Sequence, residues 1–209
     1  MLKKLQIPAL LVAAVALMAA FTACSSESEG SSSTVETLAT VQQQKYHFNA
    51  AGELIRPEGY RQWVYVGTPL TPNDLNPPEA PFPEFHNVYI HPDDFQHYQR
   101  TGAFPDKTIL VKELVTVGSK KAVSGNGYFM GEFTGLEVTI KDAERYPDEP
   151  GAWAYFSFGH SYPLSETAKA FPTAACNACH EASAADDFVF TQYYPILRAA
   201  KGGEGARAR

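Results

Sequence analysis

An α+β fold, a mostly antiparallel β-sheet with a few short helices, follows from three features of the chain. Between residues 63 and 158 it breaks into short β-rich runs separated by Gly, Pro and Asn clusters, the punctuation of strands joined by turns. In one run Leu136, Val138 and Ile140 alternate with Glu137, Thr139 and Lys141, the period of two that gives a strand two unlike faces. Helical segments are few and short. Hydrophobic residues make up 44% and charged residues 19%, which excludes both wholesale disorder and a polytopic membrane protein.

The chain opens with Lys3 and Lys4, an apolar run from Ile7 to Phe21 and small residues at its exit. Residues 1–23 therefore read as a signal peptide, too short in its apolar part for a permanent span. The exit, Phe21-Thr22-Ala23-Cys24, resembles a bacterial lipobox. Cys24 becomes the lipidated first residue, although Phe21 stands where an aliphatic residue is usual. Residues 24–44 begin with a run of Ser, Glu and Gly and form a tether that supplies reach without structure. The expected localisation is the periplasm, with the chain held to the outer membrane by its lipid only. With 23 acidic against 17 basic residues, no nucleic-acid partner is expected.

The folded domain occupies 45–201, and 202–209 form a frayed tail. Strands are expected at Trp63 to Val66, Asn87 to His91, Thr108 to Gly118, Tyr128 to Phe133, Leu136 to Lys141 and Trp153 to Phe158. Pro92-Asp93-Asp94 opens a helix to Arg100, with proline at its first position and acids at the positive end of its dipole. Two later helices are expected, Ser165 to Ala170 and Asp186 or Asp187 through Ala200, the second kinked at Pro195.

Cys176-Asn177-Ala178-Cys179-His180 carries the chemistry. Cys-x-x-Cys-His is the attachment signature of haem c: two thiols bond the two vinyl groups, and the adjacent histidine becomes the axial iron ligand. Zinc would need two more ligands at suitable spacing, and a redox dithiol would need a thioredoxin-like context. Opposite the histidine, a simple electron-transfer cytochrome c closes the iron with Met or His. Met130 is the sole methionine after the leader, in a run better suited to core packing, and His47, His86, His91, His97 and His160 remain as ligand, proton donor or surface. Such carriers are also all helical with the motif near the start, whereas here β-rich sequence comes first.

The runs Tyr60 to Thr68, Phe104 to Leu114, Asn126 to Gly131, Gly135 to Val138 and Asp187 to Arg198, in this order around the haem motif, resemble the cytochrome P-460 family. The resemblance implies a β-rich homodimer with one five-coordinate haem c per subunit. It also implies a lysine bonded to the macrocycle and oxidation of hydroxylamine to nitrogen oxides, with electrons passed to a soluble acceptor cytochrome. Relatives of the same fold, the cytochromes c′-beta, lack the lysine bond and bind nitric oxide, which supplies the alternative reading.

Lys112 falls where the family's cross-linking lysine sits. A strand places it beside Leu110 and Leu114, where a desolvated amine is neutral and nucleophilic. Periodicity alone leaves open a lysine that reaches solvent, because Ile109, Val111 and Val115 make the other face apolar too. Lys107 and Lys141 are rivals outside the matching run. Glu137 matches a distal-pocket carboxylate able to accept the protons that hydroxylamine oxidation sheds. His86 stands where some members carry arginine, and could donate a hydrogen bond to substrate. Phe104, Phe129, Phe133 and Tyr128 are available as haem walls.

Overall fold

A computed structural model describes residues 45–201. The leader, Cys24 and tether assigned to 1–44, and the tail at 202–209, lie outside the described residues.

In chain order the elements are β1 (Leu54–Ile55), β2 (Val64–Gly67), β3 (Phe85–Ile90), α1 (Pro92–Thr101), β4 (Ile109–Val117), β5 (Lys121–Ala122), β6 (Gly125–Asn126), β7 (Met130–Lys141), β8 (Trp153–Ser157), β9 (Thr167–Ala168), α2 (Asn177–Ser183) and α3 (Pro195–Ala200). The main sheet runs β2-β3-β4-β7-β8, every pair antiparallel. The fold is thus α+β and mostly antiparallel, with short helices.

Both faces of this sheet are covered, which resolves the ambiguity of β4. Ile109 and Val111 with Leu136, Val138, Ile140 and Phe156 pack on one side, under Leu54 of β1 and Ala168 of β9. Val88, Ile90, Leu110, Trp153 and Tyr155 pack on the other, against Tyr98 of α1, Leu197 of α3 and Val189. A sheet buried on both sides loses the simple alternation of apolar and polar residues. The few polar residues within it therefore need partners.

Helix α1 begins at the expected proline. His91 caps it, its Nδ1 accepting from the Asp93 amide at 3.3 Å, and Gly102 closes it at φ 72°. Three expectations are corrected. Residues 128–133 and 136–141 are not two strands: β7 is continuous from Met130, with a register shift against β4 near Val115 that absorbs the break in pattern. The helix expected at Ser165 to Ala170 is absent, because β9 pairs with β1 there and the Ser165 amide donates to Phe158 at 2.8 Å. The late helix does not span 186–200. Asp187 and Phe188 have φ of 41° and 61°, incompatible with a right-handed helix, and Pro195 starts α3 instead of kinking a longer one.

Candidate functional site

The register brings the central pair of candidates together. Lys112 on β4 stands opposite Glu137 on β7, and on its other side opposite Val88 on β3. His86 stands opposite Leu114, two residues along the same face as Lys112. Strand alternation puts Glu137 on the face opposite that of Leu136 and Val138, where Lys112 Nζ forms an ion pair with its Oε2. Its second oxygen, Oε1, lies 3.3 Å from His160 Nε2, in the segment just after β8. Lys112 Nζ also sits 5.3 Å from the centre of the Phe82 ring.

The Cys-x-x-Cys-His motif meets the sheet on this face. It forms the start of α2, with Cys176 half-buried and Cys179 exposed, neither in a disulfide. Asn177 fixes the helix to the sheet, its amide donating to the Trp153 carbonyl at 3.1 Å and to Glu149 at 2.9 Å. The His180 ring lies between Tyr155 and Phe190, each 4.5 Å away between centres.

His180 Nδ1 is 2.7 Å from the Phe188 carbonyl oxygen. A carbonyl only accepts, so Nδ1 carries the proton and the lone pair is on Nε2, the arrangement of a metal-binding histidine held from behind. The left-handed Phe188 backbone aims that carbonyl, and Gly151 makes room for its ring: a Cβ there would lie 2.5 Å from it. Burial lowers the His180 pKa, the Phe188 bond opposing and Lys112 adding to the effect. Burial likewise raises the Cys176 thiol pKa, with Glu137 adding and Lys112 subtracting. The motif and the Lys112–Glu137 pair thus share one electrostatic environment.

His86 is buried enough for its pKa to fall to about 4, first by desolvation and then by Lys112, with Glu137 opposing. It is neutral at physiological pH, and its buried Nε2 has no partner among the described residues. The Tyr155 hydroxyl on this face is similarly buried without one, and burial, with Cys176 next, raises its pKa. Two thiols, a histidine with a free Nε2, aromatic flanks and orphaned polar atoms are a donor set that fits haem c. Zinc lacks support: among the described residues no group of three or more His, Cys, Asp or Glu could hold a metal ion.

The other candidates are elsewhere. Met130 is 49% exposed, against the expectation of core packing, and its sulfur lies 3.8 Å from Asn87 Nδ2. Asn87 belongs to the sheet face of Glu113, so Met130 is across the sheet from His180. Lys107 is engaged with Asp142 and Glu144. Lys141 shares the Lys112 face but bonds Asp187 at 2.7 Å. Phe104 stacks on Tyr98 in the core, Phe133 packs under Arg61, and Tyr128 bonds Asp74 at the surface. His91 caps α1 and packs on Trp63.

Three participants carried little or no advance marking. Phe82 lies in a proline-rich loop without periodicity, and Tyr155 looked like any strand aromatic. Glu113 was read only as part of the Lys112 run, yet it is fully buried on the opposite face. There it accepts from Tyr60 Oη at 2.7 Å and from Arg61 Nε at 2.8 Å.

No curated protein matches the chain. A family profile, Cytochrome P460, matches residues 57–191, from the end of the β1 connection to the turn before α3, and so takes in both the Lys112–Glu137 pair and the Cys-x-x-Cys-His motif. With that match over most of the domain, a donor set that fits haem and an antiparallel sheet that presents it, the chain belongs to the cytochrome P460 family of haem proteins.

Proposed function

We propose that this protein oxidises hydroxylamine at a haem c bonded to Cys176 and Cys179, with His180 as the one protein ligand to iron and Lys112 joined to the macrocycle. The observation that carries this reading is Glu137, held between Lys112 and His160 on the sheet face that bears the haem motif. An apolar pocket that only bound nitric oxide would have no use for a carboxylate so placed.

Held by Cys176, Cys179 and His180, haem would supply a Lewis-acidic iron and an electron acceptor. The chain's own residues do the rest. Phe188 holds the His180 tautomer, and the orphaned His86 Nε2 offers a polar contact to a small ligand. Glu137 accepts the substrate's protons as electrons leave.

The electrons pass to a soluble acceptor cytochrome, and the chain works as a periplasmic homodimer tethered through lipidated Cys24. The deciding experiment is to express the holoprotein with periplasmic export and record the reduced optical spectrum alongside hydroxylamine turnover. A strongly red-shifted Soret band with turnover supports the proposal. An ordinary c-type spectrum with nitric oxide binding and no turnover would replace it with the binding reading.

A further inference from the structure

His160 lies outside the Cys-x-x-Cys-His motif, and among the described residues it is the second ion-pair partner of Glu137. The two Glu137 oxygens are divided: Oε2 is bound to Lys112 on the inner side, and Oε1 faces His160 Nε2 at 3.3 Å. His160 is the outermost of the three, its side chain 48% exposed against 27% at Lys112 and 21% at Glu137. The histidine is placed by design of the backbone. The Leu136 amide donates to the Gly159 carbonyl at 3.2 Å, and the Phe158 amide to Leu136 at 2.9 Å, extending the β7–β8 ladder to the residue before it. Gly135, two positions before Glu137 on the same face, permits the approach. A Cβ there would lie 2.7 Å from the Gly159 oxygen and 3.2 Å from the His160 Cα.

We infer that His160 is a proton relay acting through Glu137, carrying protons from the half-buried Lys112–Glu137 pair to solvent. This rests on the function proposed above and extends it. A proton taken by the Glu137 carboxylate passes from Oε1 to His160 Nε2, giving an imidazolium. That ion releases its Nδ1 proton to water and returns to a neutral ring with the carboxylate restored. The charges facing His160 are Glu137 of β7 and, behind it, Lys112 of β4. An imidazole suits the task because one ring nitrogen can take up a proton while the other, on a different side, gives one up.

The test compares wild-type holoprotein with His160→Gln, which keeps a hydrogen-bonding group but cannot take up a proton. Hydroxylamine kcat is expected to fall about 100-fold with KM unchanged, the lower end of the range open to acid–base groups. The near-neutral limb of the pH–rate profile should vanish, and added imidazole should restore the rate. Independently of turnover, the haem midpoint potential of wild type should depend on pH across the histidine range and that of His160→Gln should not. Nitric oxide binding and haem spin state should match wild type. A variant that turns over normally, or one that slows with an unchanged pH profile and no imidazole rescue, overturns the relay. So does a changed spin state, which would make His160 an iron ligand. If wild type does not oxidise hydroxylamine at all, the proposed function fails, and the pH dependence of the potential still decides the relay.

Discussion

Replacing Lys112 with leucine separates what this residue does for the sheet from what it does for chemistry. Its ion pair with Glu137 is 27% exposed on one side and 21% on the other, and pairs near the surface contribute about 0.2–1 kcal/mol. A leucine in its place adds apolar surface between Leu110 and Leu114, both buried, at about 25 cal/mol per Å². The two effects oppose each other, so Lys112→Leu should lie within about 1 kcal/mol of wild type, a Tm change of no more than about 4 °C for a domain this size. Haem attachment should persist, because the thiols of Cys176 and Cys179 are separate from Lys112. Hydroxylamine turnover should nevertheless fall at least about 100-fold, or about 2.7 kcal/mol of barrier, and the red-shifted band should disappear while nitric oxide binding remains. Proteolysis and mass spectrometry provide the direct assay: wild-type haem should join the Cys176 peptide to the Lys112 peptide. A haem fragment holding only the Cys176 to His180 segment, or normal turnover by the leucine variant, would refute the reasoning.

Glu137→Gln keeps the size of the side chain but not its basicity, so kcat should drop about 10²- to 10⁴-fold while nitric oxide affinity changes little; stopped-flow measurements of both decide it. His86 has a folded pKa of about 4 against an ordinary 6.5, so the unfolded chain binds the extra proton between these values. Stability should therefore be complete above pH 6.5 and decline by up to about 3 kcal/mol toward pH 4, a slope that His86→Phe should flatten in denaturant titrations. Met130→Leu should leave the optical spectrum unaltered, since Met130 lies across the sheet from His180; loss of a methionine-to-iron band would contradict the placement. Gly135→Ala must displace the Gly159 carbonyl and should reproduce the His160→Gln pH profile, including rescue by imidazole.

What the sequence disclosed depended on whether a local pattern or a distant contact sets the structure. The alternation from Leu136 to Lys141 located Glu137 on the correct face because a strand's period is independent of its neighbours. Pro92 with its following acids located α1 for the same reason. The pattern stopped at Lys112, where a sheet covered on both sides makes both faces of β4 apolar. Only the β4–β7 register, a contact between residues 25 positions apart in sequence, showed that lysine meeting Glu137. The late segment misled for a related reason. Residues 186–200 carry helix-compatible spacing, but the positive φ at Asp187 and Phe188 serves the bond to His180, a demand from outside the segment. His160 was one of five histidines open as ligand, proton donor or surface, and only Gly135 and the ladder beneath it bring it to Glu137.

The sheet carries two paired glutamates, and their partners distinguish structure from chemistry. On one face Glu113, 1% exposed, is bound by Tyr60 and by Arg61. A guanidinium does not give up its proton under any condition the fold survives, and burial with the Glu113 bond drives the Tyr60 pKa upward. Every proton in that group is fixed, which suits a device that closes the core over a buried charge. On the opposite face Glu137 is held by a lysine and a histidine, neither of them a guanidinium. The proposed relay therefore runs through Glu137 and not through Glu113. Under the relay proposal, putting the fixed partners of Glu113 around Glu137 would close the path for protons away from the face that bears the Cys-x-x-Cys-His motif.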